Sequence, residues 1–218
     1  MQELKAYWDA AYSSESERVA LTTPGGEEIT ELWARASRND HLWRDFITHC
    51  QHRPKDAFNK LFTTAQTCIE IGCGTGEFLT GLMTVAPLSE GLGIDLSQTA
   101  IDFAIANYSS PPREGQKIHW IAGDRSDLTV PEKADFLVAN QVVEHFREPS
   151  LIINKLQELA HFVVVITPYK EEIPEWGDDI LDGSDNHLIS VDESTYSGFD
   201  VVEDMVFFSK EGWGVSRQ

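Results

Sequence analysis

Cys68-Ile69-Glu70-Ile71-Gly72-Cys73-Gly74-Thr75-Gly76-Glu77-Phe78 runs an apolar strand straight into three alternating glycines and then into a helix. Glycines belong there because the backbone must turn tightly and let a ligand approach the main chain closely. Taken alone, such a loop is also compatible with a plain structural turn. The next apolar run ends Gly93-Ile94-Asp95-Leu96-Ser97, which puts Asp95 at the C-terminal edge of a second strand, 19 residues after Gly76. A carboxylate at that place can accept hydrogen bonds from both ribose hydroxyls of a nucleoside. By itself Asp95 reads equally well as a helix N-cap. Strand, glycine loop and acid together favour a ligand.

Outward from this stretch, short apolar runs recur at Thr67–Ile71, Gly91–Ile94, Lys117–Ile121, Asp135–Ala139 and His161–Ile166. Helical patterns lie between them near Gly76–Val85, Ser97–Tyr108 and Ser150–Leu159, while the 124–133 connection is irregular. This alternation predicts an α/β fold, a parallel sheet with helices on both faces. Phe199–Phe208 reads as one long strand or a tight hairpin.

Residues 1–60 are helical in pattern and form an N-terminal extension to a core over 61–218, the two making a single domain. Leu4, Trp8 and Tyr12 share one face, as do Ile29, Leu32, Trp33 and Ala36, and then Leu42, Trp43, Phe46 and Ile47. Thr23-Pro24-Gly25-Gly26 breaks the first helix from the second.

Composition narrows the function. Against 17 basic residues stand 36 acidic ones, a formal charge of −19. That field repels phosphate backbones, so DNA is excluded as a partner and RNA disfavoured. The N-terminus MQELKAYWDAAY has no basic start followed by an apolar run, and the apolar stretch Phe162–Ile166 is far too short to span a membrane. Cys50, Cys68 and Cys73 form no CxxC pair and read as small thiols in a reducing compartment. A cytoplasmic protein, monomeric or homodimeric, is expected.

The glycine spacing separates two nucleotide-binding classes. A nicotinamide enzyme has G-x-G-x-x-G, whereas here Gly72, Gly74 and Gly76 alternate and are preceded by Glu70. That E-x-G-x-G-x-G pattern resembles motif I of the class I S-adenosylmethionine (SAM)-dependent methyltransferases. Asp124 in Ala122-Gly123-Asp124 is similar to the family's acid that contacts the adenine amino group. Ala134–Asn140 resembles the fourth strand, whose end lies beside the methionine part of SAM. Val142-Val143-Glu144-His145-Phe146 resembles the segment after it, and Val163–Pro168 the fifth strand and its stop.

The resemblance covers roughly residues 60–208 and implies a Rossmann-like, seven-stranded, mostly parallel sheet. It implies SAM, leaving as S-adenosylhomocysteine (SAH), across the C-terminal ends of strands one and four. The residues implied to hold it are Glu70, Gly72, Cys73, Gly74, Gly76, Asp95, Leu96, Asp124, Arg125, Asn140 and Gln141. Tyr7-Trp8-Asp9-Ala10-Ala11-Tyr12 resembles a family start in which an aromatic closes over the site. The chain departs from the pattern at Gly212-Trp213-Gly214-Val215, a poor last strand, so the final hairpin is expected to be abbreviated or shared with a partner chain.

Methyl transfer from a sulfonium needs an aligned acceptor and, for a hydroxyl, a base. His145, with Glu144 beside it, is the candidate catalytic pair, since imidazole takes a proton near neutrality; a histidine packed at a helix start is the equal alternative. Glu144, His145 and His187 also resemble the metal set of small-RNA 2′-O-methyltransferases and ubiquinone-pathway O-methyltransferases, which carry E-x-x-E-H. Here Gln141 replaces the first acid and is a poor ligand for a hard cation, which weighs against a divalent metal. Between Glu171 and Asp185 the chain carries seven acids and no base. This segment is either a solvated loop or a lid over the acceptor, and in the second case Tyr169, Trp176, His187 and Tyr196 meet the substrate. The expected activity is methylation of a small molecule, on an oxygen of a sugar or secondary metabolite. The alternatives are a nicotinamide-dependent oxidoreductase on a similar sheet and a non-catalytic SAM-binding regulator.

Overall fold

The computed structural model describes residues 2–18, 64–124, 132–167, 172–174, 187–192, 195, 199–203 and 206–209. Helix α1 (Gln2–Arg18) is followed by β1 (Thr67–Ile71), α2 (Glu77–Val85), β2 (Glu90–Asp95), α3 (Gln98–Tyr108), β3 (Lys117–Ala122) and β4 (Ala134–Asn140). A 3-10 turn (Val143–His145), α4 (Pro149–Leu159), β5 (Ala160–Ile166), β6 (Phe199–Glu203) and β7 (Val206–Ser209) complete the described chain. The helices expected over 29–36 and 42–47, the tail 210–218, and Arg125, Tyr169, Trp176 and Tyr196 lie outside the described residues.

The five expected strands are parallel, in the order β3-β2-β1-β4-β5. Phe199–Phe208 resolves into a hairpin: β7 pairs antiparallel with β5, and β6 with β7. The register sets Glu70 of β1 opposite Gly93 of β2 and Val138 of β4.

The apolar runs are continuous because the central strands are covered on both faces. On one face Phe136, Val138, Phe162 and Val164 pack under Phe78, Leu79, Leu82 and Met83 of α2. Their neighbours Leu137, Ala139, Val163 and Val165 point the other way, onto Ile152, Ile153 and Leu156 of α4. Phe136 and Phe162 stack across β4 and β5, with ring centres 5.8 Å apart. Each such side chain contributes about 1.5–3 kcal/mol through removal from water. β3 alternates exposed and half-buried residues, as an edge strand does.

Two polar devices set the strand ends. Asp135 stitches the start of β1 to β4: its Oδ2 accepts from the Gln66 and Thr67 amides at 2.8 and 3.1 Å, and its own amide donates to Thr67 Oγ1 at 2.9 Å. Ser97 is the N-cap of α3, accepting from the Ala100 amide at 3.2 Å. The cap, the alternative role for Asp95, thus falls two residues later, and the Asp95 carboxylate is left for other partners.

Candidate functional site

The sheet order reverses between β1 and β4, because β1 leads to β2 on one side and β4 to β5 on the other. Ligands of open α/β sheets sit at such a switch point, beyond the carboxyl ends of the strands. A cavity of about 620 Å³, counting its open mouth, lies there. Its walls come from the ends of β1 (Ile71, Gly72), β2 (Ile94, Asp95, Leu96) and β3 (Gly123, Asp124), and from the segment after β4 (Gln141, Val142, His145, Phe146). Trp8 and Tyr12 of α1 close the remaining side.

The glycine loop is built on β2. The amides of Gly72 and Cys73 both donate to the Ile94 carbonyl, at 2.8 and 3.1 Å. Gly72 has φ +70°, and a Cβ there would stand 2.5 Å from Val142 Cγ2. Gly74 has φ +51°, and a Cβ there would meet the Tyr12 hydroxyl at 2.8 Å. No side chain fits at either place without displacing a cavity wall, which is what a close-approach loop requires.

Asp95 closes the loop from below. Its Oδ2 accepts from the Gly74 amide at 2.9 Å and its Oδ1 from the Ser97 amide at 2.8 Å. A carboxylate offers about four lone-pair sites, so Asp95 keeps acceptor capacity for a further donor. Burial raises the Asp95 pKa, and bonds from the Ser97, Gly74 and Leu96 amides pull it back. Glu70 lies deeper, 1% exposed. Burial, and then the charge of Glu77, push its carboxyl well up, and its Oε2 has no hydrogen-bond partner among the described residues. Cys73 is also buried, and burial and the nearby Glu70 raise its thiol well above the usual range. A thiol held protonated in this way is no nucleophile.

Gln141 is the only non-glycine residue with positive φ among the described residues, at +54°. Its amide donates to the Ile166 carbonyl at 2.8 Å, so the pairing with β5 holds this strained turn, and its side chain lines the cavity. Strain of this kind gathers where a site over-determines the backbone.

On the opposite wall the 3-10 turn buries both Glu144 and His145. The His187 ring meets the His145 ring edge-on at 5.0 Å, and the Leu188 amide donates to the Glu144 carbonyl at 2.8 Å. One ligand atom from each of Glu144, His145 and His187 falls within 4.8 Å of the others.

Of the expected ligand-holding residues, Gly72, Asp95, Leu96, Asp124 and Gln141 line the cavity together with His145. Glu70, Cys73, Gly74, Gly76 and Asn140 are in the same strand ends and loop but are not among the lining residues. Val142 and Phe146, on either side of Val143–His145, and Asp9, whose partners lie about 90 residues away, stand in the quoted motifs but carry no expected role.

Residues 69–161 match the family model described as a methyltransferase domain. Peramine synthetase A of Epichloe festucae (strain Fl1) is 29% identical over 108 residues, which are 48% of this chain and 4% of that protein. Cyclosporin synthetase simA of Tolypocladium inflatum is 28% identical over 114 residues, 51% of this chain and 1% of that protein. The chain thus spans only a small fraction of the length of these curated relatives. Among solved structures, magnesium protoporphyrin IX methyltransferase of Synechocystis PCC 6803 with bound SAM covers 95% of this chain and 94% of its own, at 15% identity and a TM-score of 0.60. The same enzyme with bound SAH covers 78% and 73%, at 17% identity and a TM-score of 0.53. These likenesses show the fold. No helix among the described residues is long and apolar enough to cross a membrane. A methyltransferase-domain match that runs from within β1 to the start of β5, and a sheet of this order around a glycine loop, give this chain the fold of the class I SAM-dependent methyltransferases.

Proposed function

We propose that this enzyme transfers the methyl group of SAM to a hydroxyl oxygen of a small molecule, with a sugar or secondary metabolite as the scaffold. The observation that carries the proposal is one cavity lined by Gly72 and Asp95 at one side and His145 at the other. In this reading the remaining acceptor capacity of Asp95 takes the ribose hydroxyls, and Asp124 takes the adenine amino group. The glycine loop, Gln141 and Asn140 surround the methionine part. The acceptor oxygen attacks the methyl carbon in line, the carbon–sulfur bond breaks, and SAH leaves. His145, buried beside Glu144, receives the hydroxyl proton. Trp8, Tyr12 and Phe146 exclude water. α1, the described part of the 1–60 extension, acts as a cover on the core.

The test is transfer of labelled methyl from SAM to a panel of hydroxylated small molecules. Label in a base-stable ether supports the reading. SAM binding without any transfer across the panel favours the regulatory alternative.

The geometry of Glu144, His145 and His187 favours a second reading of the same wall. One carboxylate and two imidazoles suit a borderline divalent ion such as zinc better than magnesium or calcium. Bound there, such an ion would act as a Lewis acid toward an acceptor oxygen. Zinc should then bind in a calorimetric titration and fail to bind the His187→Ala variant, with magnesium binding neither. Absence of zinc binding to the wild-type protein removes the metal and leaves His145 as the base.

A further inference from the structure

α1 lies across the cavity and touches both of its functional walls. Trp8 and Tyr12, ring centres 5.9 Å apart, both line it. At one end the Tyr12 hydroxyl covers Gly74, and at the other Trp8 meets His145 edge-on at 6.4 Å. The helix has 17 residues and a largely polar sequence, QELKAYWDAAYSSESER. In proteins most helical stability comes from tertiary packing, so its position depends on what ties it to the body.

Asp9 supplies such a tie. Its Oδ1 accepts from Ser97 Oγ at 2.7 Å and from the Thr99 amide at 3.2 Å, while Lys5 Nζ donates to its Oδ2 at 2.7 Å. The Thr99 amide is in the first turn of α3, where donors lack partners within the helix and negative charge is favoured. Ser97 carries the connection inward. Its hydroxyl donates to Asp9, and its amide donates to Asp95. Asp95 in turn accepts from the Gly74 amide. A chain of hydrogen bonds therefore joins α1, through the start of α3, to the glycine loop beneath the cavity. Burial opposes the Asp9 charge, but the bonds from Lys5, Ser97 and Thr99 win and hold its carboxyl at about 2.

We propose that Asp9 is a positioning residue that latches α1 over a bound cofactor, so that cofactor leaves only after Asp9 releases Ser97 and Thr99. It acts through Trp8 and Tyr12, which it holds over the cavity. The inference rests on the SAM reading above and adds to it the element that sets the rate of exchange.

The experiment is stopped-flow release of SAH from the wild-type protein and from Asp9→Ala and Asp9→Asn, with the melting temperature of each unliganded protein measured alongside. Release from Asp9→Ala should be at least about tenfold faster, since both bonds to the body are lost and one charge-assisted hydrogen bond alone is of that scale, with the association rate unchanged or higher. Asp9→Asn keeps the shape and an acceptor oxygen but not the charge, so it should fall between the two, and it carries the test if Asp9→Ala does not fold. A purely structural role would lower the melting temperature and leave the release rate of the folded protein unchanged. Unchanged release from a folded variant, with SAH bound by the wild type, overturns the latch alone. Failure of the wild type to bind SAH removes the SAM reading and the latch together.

Discussion

Asp95→Ala should weaken SAM binding by roughly two orders of magnitude or more, the scale of two lost charge-assisted hydrogen bonds to the ribose. The same substitution takes an acceptor from the Gly74 and Ser97 amides, so part of the loss will come from a loosened glycine loop. Stability should suffer less than affinity. Burial already opposes the Asp95 charge, and removing the carboxylate relieves that cost while it orphans two amides. The unliganded variant should therefore melt only a few degrees lower, since about 1 kcal/mol corresponds to roughly 2–4 °C in a chain of this size. Asp95→Asn separates the two roles: it retains one acceptor oxygen for the loop but offers the ribose no anion. Titration of both variants with SAM is the measurement, and near wild-type affinity in either would mean that the ribose lies elsewhere.

His145→Ala should lower methyl transfer by about 10²–10⁴-fold while SAM affinity stays within a few-fold of wild type, as loss of a general base predicts. The split follows from geometry. His145 is on the wall opposite the glycine loop, where it meets the cofactor's cover, Trp8, only at a ring edge. An unchanged rate in His145→Ala would make His145 a packing residue of the 3-10 turn. Pairing this variant with His187→Ala distinguishes the two readings of the cluster. A general base tolerates the loss of His187, whereas a metal site does not.

The parts of the fold that were legible in the sequence were those encoded locally. β1, β4 and β5 appear as mainly apolar runs because both of their faces are buried, and the glycine loop appears because Gly72 and Gly74 adopt left-handed backbone beside Val142 and Tyr12. Asp95 was found as a strand-end acid, but its work on the Gly74 amide, 21 residues back, was not visible. Other features needed the fold itself. Asp9 reaches Ser97 across 88 residues, and although it lies in the Tyr7–Tyr12 motif, nothing there shows what it bonds. Asp135 reads as a break in an apolar strand until Gln66 and Thr67 are brought against it. The positive φ of Gln141 has no sequence signal, because glutamine rarely adopts it. His187 came to His145 through family resemblance; spacing alone does not join residues 42 apart.

The cofactor assignment is tested most directly by calorimetric titration of the purified protein with SAM, SAH and, as a control, NAD. The account predicts micromolar binding of both sulfur nucleosides to a single site and no heat from NAD. Binding of NAD, or of none of the three, would contradict it and leave only the sheet and its glycine loop in place.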